Sequence, residues 1–274
     1  MSKTKVLIVT QEMTPYTVAS DISEIARRLP QHVQEQGMEI RILMPKFGTI
    51  NERRHRLHEV VRLSGMNIIV DDDDFPLIIK VASVSGARMQ VYFLDNEDFF
   101  KRKATFEDAD GNAFKDNPDR MIFFCKGVVE TVKKFGWAPD IVHCHGWMTS
   151  LLPLYLKTAY KSEPLFQDAK IITSLYNHST KNQFSENFIT KASINDLEAK
   201  DLAAFNSTDG ISLLNGATTF SDALIVGSEG YEDDVIEKAQ EVGKPVLEHQ
   251  SPETYLSAYV TFYKSLLEQE ETVS

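Results

Sequence analysis

Long apolar runs are missing from this 274-residue sequence. None approaches the roughly 20 residues needed to cross a bilayer. Met1-Ser2-Lys3-Thr4-Lys5 is followed only by the short run Val6 to Val9 and then by Gln11 and Glu12, too brief for a secretory signal. Basic charge is also scarce, with 29 Lys and Arg against 40 Asp and Glu, a net charge of −11. A nucleic-acid binder displaces counterions with a positive field, so nucleic acid is excluded as the main partner, and an anionic membrane surface with it. Only two cysteines occur, Cys125 and Cys144, both in apolar segments. Buried free thiols are expected of them, in a cytoplasmic protein. No internal repeat, low-complexity segment, cofactor motif or complete metal-ligand set is present.

What is there reads as alternating strands and helices. Lys5-Val-Leu-Ile-Val-Thr10 has the continuous β-branched pattern of a strand buried on both faces. Ser20-Asp21 opens a helix with Ile22, Ile25, Leu29 and Val33 at helical spacing, closed by Gly37. Ile40 to Met44 completes a β-α-β unit, and right-handed crossover makes its strands a parallel pair. Strands are expected at 56–70, 77–84 and 88–94, the last two joined in a hairpin around Ser85-Gly86. The stretch 95–118 is polar, and Pro118 opens a helix over 119–135 that ends at Gly136. Asp140 to His145 is a strand, 149–160 a helix and Lys170 to Leu175 a strand. After the polar stretch 178–208, helices are expected at 209–220, 228–241 and 252–270, with a strand from Ala223 to Gly227. The fold class is α/β, a doubly wound, mostly parallel Rossmann-like sheet.

Several motifs admit a plain reading beside a chemical one. Asp71-Asp-Asp-Asp74 has mutually repelling carboxylates and reads as a solvated loop, since the glycine turn of a calcium loop is absent. His143 and His145 share one face of a strand, but two imidazoles without a third ligand make a weak zinc site. Ligands of open α/β sheets gather beyond the carboxyl ends of strands, where His145-Gly146-Trp147 lies. There an imidazole can hydrogen-bond a sugar hydroxyl and an indole can stack on sugar C–H groups. Simple packing of a βα loop explains the same residues equally well. The loop from Thr10 to Asp21 contains no glycine and sets a carboxylate at the helix start. That arrangement suits the helix dipole and repels a phosphate.

Together these segments resemble the glycogen/starch synthase family of GT-B-fold glycosyltransferases. Val9-Thr-Gln-Glu-Met-Thr-Pro15 and Leu29-Pro30 resemble the family's strand-S-E-M-x-P and closing L-P, and Arg41-Ile-Leu-Met-Pro45 its R-V-L-L-P. Pro139-Asp-Ile-Val-His-Cys-His-Gly-Trp147, continued by Leu151-Leu-Pro-Leu-Tyr-Leu156, is similar to P-D-V-V-H-x-H-D-W and L-x-P-x-Y-L. Ser174-Leu-Tyr-Asn177 stands at T-V-H-N, and Ile211 to Ser228 resembles I-S-F-L-K-x-G-L-x-x-A-D-x-I-T-x-V-S. The ordered set spans about residues 5–235.

The resemblance implies the acceptor-side half of an enzyme that transfers glucose from ADP-glucose to an α-1,4-glucan. Of the residues that would meet ligand it retains Glu12, His145, Trp147 and Asn177, with His145 the one catalytic candidate. The departures are as informative. The family's K-T-G-G becomes Val18-Ala-Ser-Asp21, the D of H-D-W becomes Gly146, and the H of V-H-N becomes Tyr176. No counterpart of the nucleotide-sugar domain is found. The final segment places Leu256, Tyr259, Val260, Tyr263 and Leu267 on one helical face, as in the returning helix of the GT-B fold. The expectation is one domain over 1–274, with 252–270 as its crossover-type helix and an incomplete catalytic site. The expected partner is glycogen or a maltooligosaccharide; the alternative is a non-catalytic binding or assembly protein with a protein partner or self-association.

Overall fold

The computed structural model describes residues 3–84, 86–177, 184, 186–208 and 210–271. Strand β1 (Lys5–Thr10) leads through helix α1 (Asp21–Glu35) to β2 (Glu39–Pro45), the β-α-β unit that the sequence predicts. Ser20 caps α1 reciprocally. Its hydroxyl accepts from the Ser23 N–H, and the Ser23 hydroxyl accepts from the Ser20 N–H, which satisfies two donors the helix leaves open. The expected long strand over 56–70 is broken up. A short helix α2 (Glu52–His55) precedes that stretch, which holds only a two-residue β3 (His58–Glu59) and β4 (Met66–Val70).

Strand β4 pairs antiparallel with β5 (Asp73–Ser83), and β5 with β6 (Gln90–Asp95). The aspartate run therefore forms a hairpin tip rather than a free loop. Asp71 takes a left-handed φ of 57° and Asp73 and Asp74 begin β5, all of them exposed to solvent. The β5–β6 hairpin is as expected, although Ser85 at its turn lies outside the described residues.

Helix α3 (Glu97–Phe100) precedes the long α4 (Asn117–Phe135), which starts on Pro118 and stops at left-handed Gly136. Fully buried Arg120 of α4 donates to the carbonyls of Phe99 and Thr105 and to Asn117 Oδ1. These bonds fix the irregular 99–117 segment against the helix.

Strand β7 (Ile141–His145) runs into a 3-10 turn (Trp147–Thr149) and α5 (Leu151–Lys157), so the helix expected over 149–160 is shorter. After β8 (Lys170–Leu175), the polar stretch holds α6 (Glu186–Ala192), a 3-10 segment (Ala199–Phe205) and the small pair β9 (Asn206–Ser207) and β10 (Gly210–Ile211). Gly210, at φ 118°, cannot be helical, and Ser212 caps the next helix, so α7 (Leu213–Phe220) begins later than expected.

Strand β11 (Ala223–Val226) follows. Left-handed Gly230 and the Asp233 cap delay α8 (Asp234–Glu241), and an unanticipated edge strand β12 (Val246–Leu247) comes before α9 (Tyr255–Glu271).

The main sheet has the order β12-β11-β8-β7-β1-β2-β6-β5-β3, parallel from β12 through β6 and antiparallel beyond. The chain winds outward in both directions from β1 and β7. The topological switch point therefore lies at their carboxyl ends, where such sheets place ligands. One apolar core spans both faces of the sheet, and a smaller cluster lies under α8. Among the described residues no helix is long and apolar enough to cross a membrane.

Candidate functional site

The carboxyl ends of β1 and β7 are laced together. Gln11 N–H donates to the His145 carbonyl at 3.2 Å, and Gln11 Oε1 accepts from the Met148 N–H at 3.2 Å. Gly146 between them has φ 88° and ψ 163°, a conformation close to exclusive to glycine. A Cβ there would lie 2.3 Å from the Gln11 side chain. Gln11 fills the space, and Gly146 is the residue that lets it.

The loop from β1 to α1 holds carboxylates where a phosphate cradle would hold bare N–H groups. Ser20 Oγ donates to Glu12 Oε2 at 2.6 Å, and Ser228 Oγ donates to Asp21 Oδ2 at 2.8 Å. Both acids sit in the positive field of the α1 N-terminus. A phosphate approaching this end would meet two negative groups already supplied with hydrogen bonds.

Asn177 is turned to a structural task. Its N–H donates to Ser228 Oγ at 3.2 Å and its side-chain amide to the Glu229 carbonyl at 2.8 Å, which ties the end of β8 to the end of β11 and so to α1.

His145 is fully buried. Its Nδ1 lies 2.7 Å from the Tyr176 hydroxyl, and its Nε2 has no hydrogen-bond partner among the described residues. Burial pushes its pKa down to about 3, so the ring is neutral at neutral pH. Its neighbour His143 packs at 3.9 Å between ring centroids. The sequence prediction that the two rings share a face is correct, but both His143 nitrogens are engaged. Nδ1 meets the Tyr263 hydroxyl at 2.6 Å and Nε2 the Ser174 hydroxyl at 2.7 Å. Neither is free for zinc, and no group of three or more His, Cys, Asp or Glu able to hold a metal exists among the described residues.

Tyr176 is the residue that composition and spacing do not flag as functional. Its ring lies against Gly227, where a Cβ would come within 2.4 Å of it. It lines a cavity of about 120 Å³ at the carboxyl ends of β7 and β8, together with Gln11, Gly146, Trp147, Ser150 and Tyr231. Trp147 is half-buried, edge-on to Phe106 at 5.1 Å and to Phe184 at 6.5 Å. Pockets for drug-sized ligands run to roughly 300–1,000 Å³, so this cavity is small beside them.

Of the four predicted ligand residues, the structure brings Trp147 to the cavity wall and sets His145 beneath Tyr176. It commits Glu12 to Ser20 and Asn177 to the 228–229 turn. The one signal that marks Tyr176 in the sequence is its departure from the family's histidine.

Comparison with known proteins identifies the family of this fold. A family model described as the starch synthase catalytic domain matches residues 5–248. The glycogen synthase of Chlorobium limicola is 36% identical over 233 residues, which cover 85% of this chain and 47% of that protein. That of Pelodictyon phaeoclathratiforme is 34% identical over 253 residues, covering 90% and 51%. The chain thus spans about half the length of these relatives. Among solved structures, the catalytic domain of starch synthase IV from Arabidopsis thaliana, bound to ADP and acarbose, superposes with a TM-score of 0.73. Identity is 19%, over 90% of this chain and 51% of that one, a likeness of fold. With its family model matched over most of its length, the chain belongs to the starch synthase catalytic domain family.

Proposed function

We propose that this chain is an acceptor-side α-glucan-binding domain whose own carboxyl-end site is not built to take a nucleotide diphosphate. The observation that carries the reading is the pair Glu12–Ser20 and Asp21–Ser228 at the start of α1. Transfer from ADP-glucose needs a cationic or N–H clamp on the departing diphosphate, and carboxylates occupy that place.

What remains suits a neutral sugar. Trp147 offers an apolar face, and Gln11, Ser150 and Tyr176 offer polar groups around one small cavity. The polymer implied by the family is glycogen or a maltooligosaccharide. Two buried free cysteines favour a cytoplasmic setting. We read α9 as the closing helix of this domain, in the role the sequence suggests for 252–270.

Co-sedimentation with glycogen and titration with maltohexaose test the proposal. The chain should bind both, and Trp147→Ala should weaken binding about tenfold, the loss of one stacked ring face. Trp147→Phe should recover part of it. Binding by Trp147→Ala equal to that of the parent chain would remove the indole from the site.

A second reading rests on Val18, which is 87% exposed in the loop before α1. An apolar side chain presented beside the site suits a protein partner or self-association. Size-exclusion chromatography of the parent chain and Val18→Lys tests it; an unchanged monomeric profile for both removes self-association.

A further inference from the structure

A second cavity, of about 310 Å³, lies between the first turns of α1, the turn after β11 and the entry to α9. It neighbours the small site. Gly227 lines this cavity, and Tyr176, whose ring lies against Gly227, lines the other. Its walls carry Tyr255 and Tyr259, set edge-to-face at 5.8 Å, with Arg28 and Glu24 from α1, Glu229 from the turn, and His249. Arg28 Nε lies 3.9 Å from Glu24 Oε2.

We propose that this cavity is a second carbohydrate subsite, which takes a neutral, polyhydroxylated ligand such as a short α-glucan segment. The inference rests on the glucan-binding reading given above and assigns that reading a further place.

Charge decides the ligand class. Glu24 and Glu229 set two carboxylates against the one guanidinium of Arg28 in these walls. An anion therefore gains nothing from entering, and a nucleotide or free phosphate is disfavoured. A sugar hydroxyl donates and accepts at once, so it is served by carboxylate and guanidinium side by side. Tyrosine rings supply the apolar surface that sugar C–H faces need. The volume falls in the range of ligand pockets, and the walls come from three separate elements whose mutual position the core fixes.

The test is a titration of the isotope-labelled full chain with maltohexaose, followed by amide and indole NMR shifts and repeated on Arg28→Ala and His249→Ala. Arg28 and His249 are not core residues, so both variants should fold. The expected result is saturable shifts at Gly227, Glu229 and Gln250, with affinity at this set reduced about tenfold in Arg28→Ala, as for loss of one charge-assisted hydrogen bond.

Shifts confined to Trp147, Ser150 and Tyr176, with both variants binding like the parent, would overturn the second subsite and leave the glucan reading standing. No shift anywhere at millimolar maltohexaose would overturn both. Shifts at Gly227 and Glu229 on addition of ADP or inorganic phosphate, and none with maltohexaose, would overturn the neutral-ligand assignment.

Discussion

Tyr176 and Gly227 form an interlocked pair. The phenol reaches His145 because the residue facing it has no side chain. Gln11 and Gly146 form a second such pair. In both, a side chain occupies space that the facing glycine leaves open. Gly227→Val should cost about 2 kcal/mol, the price of overpacking. Adding Tyr176→His should recover more than half of it. Denaturant unfolding of the single and double variants measures the coupling, and strictly additive losses would mean the two positions are independent.

The histidines give a pH prediction. Burial holds His145 near 3 and His143 well below the ordinary value of 6.5. Below pH 6.5 the unfolded chain binds protons that the folded chain refuses. The stability tied to these rings is therefore complete above pH 6.5 and is lost progressively as pH falls towards 3. Together they should remove about 2 kcal/mol between pH 6 and pH 5. Urea midpoints across that range check this, with His145→Asn halving the slope; a midpoint that stays flat would show both rings to be solvated.

Among the elements, α9 touches the buried histidine pair through Tyr263. Tyr259, Val260 and Tyr263 are buried beneath it, and α9 packs on α1. Tyr263 connects this helix to His143 on β7, and His143 stacks on His145. Tyr263→Phe keeps the ring and removes the hydroxyl, leaving a buried imidazole nitrogen without its partner. The expected cost is about 1–3 kcal/mol, read as a lowered melting temperature with unchanged far-ultraviolet circular dichroism. An unchanged melting temperature would mean that the bond carries no stability.

The face formed by Leu256, Tyr259, Val260, Tyr263 and Leu267 is legible in the sequence because helical periodicity is a local signal. So are the parallel strands, whose continuous apolar runs follow from burial on both faces. The beginnings of α7 and α8 are not legible in that way. They are set by Gly210 and Gly230 in left-handed conformation and by the Ser212 and Asp233 caps, which interrupt otherwise periodic stretches. The roles of Tyr176 and Asn177 are hidden for a different reason. Their partners, His145, Ser228 and Glu229, lie 31 to 52 positions away in the chain, and spacing carries no record of such contacts.

For the whole molecule, the winding of the sheet sets the site at the β1–β7 switch point, and the residues there decide what it accepts. Carboxylates guard the start of α1, a neutral imidazole lies sealed beneath a tyrosine, and two neighbouring cavities offer aromatic and mixed polar walls. A division of ligands is expected, with the glucan bound and the sugar donor ignored. The most direct measurement incubates the chain with labelled ADP-glucose and glycogen, beside an active synthase, and counts label in the polymer and label retained by the protein. The expected result is glycogen bound by the chain, with no label incorporated and none retained. Incorporation that disappears in His145→Ala would contradict it, because a buried neutral histidine and a carboxylate-lined helix start would then be serving glucosyl transfer.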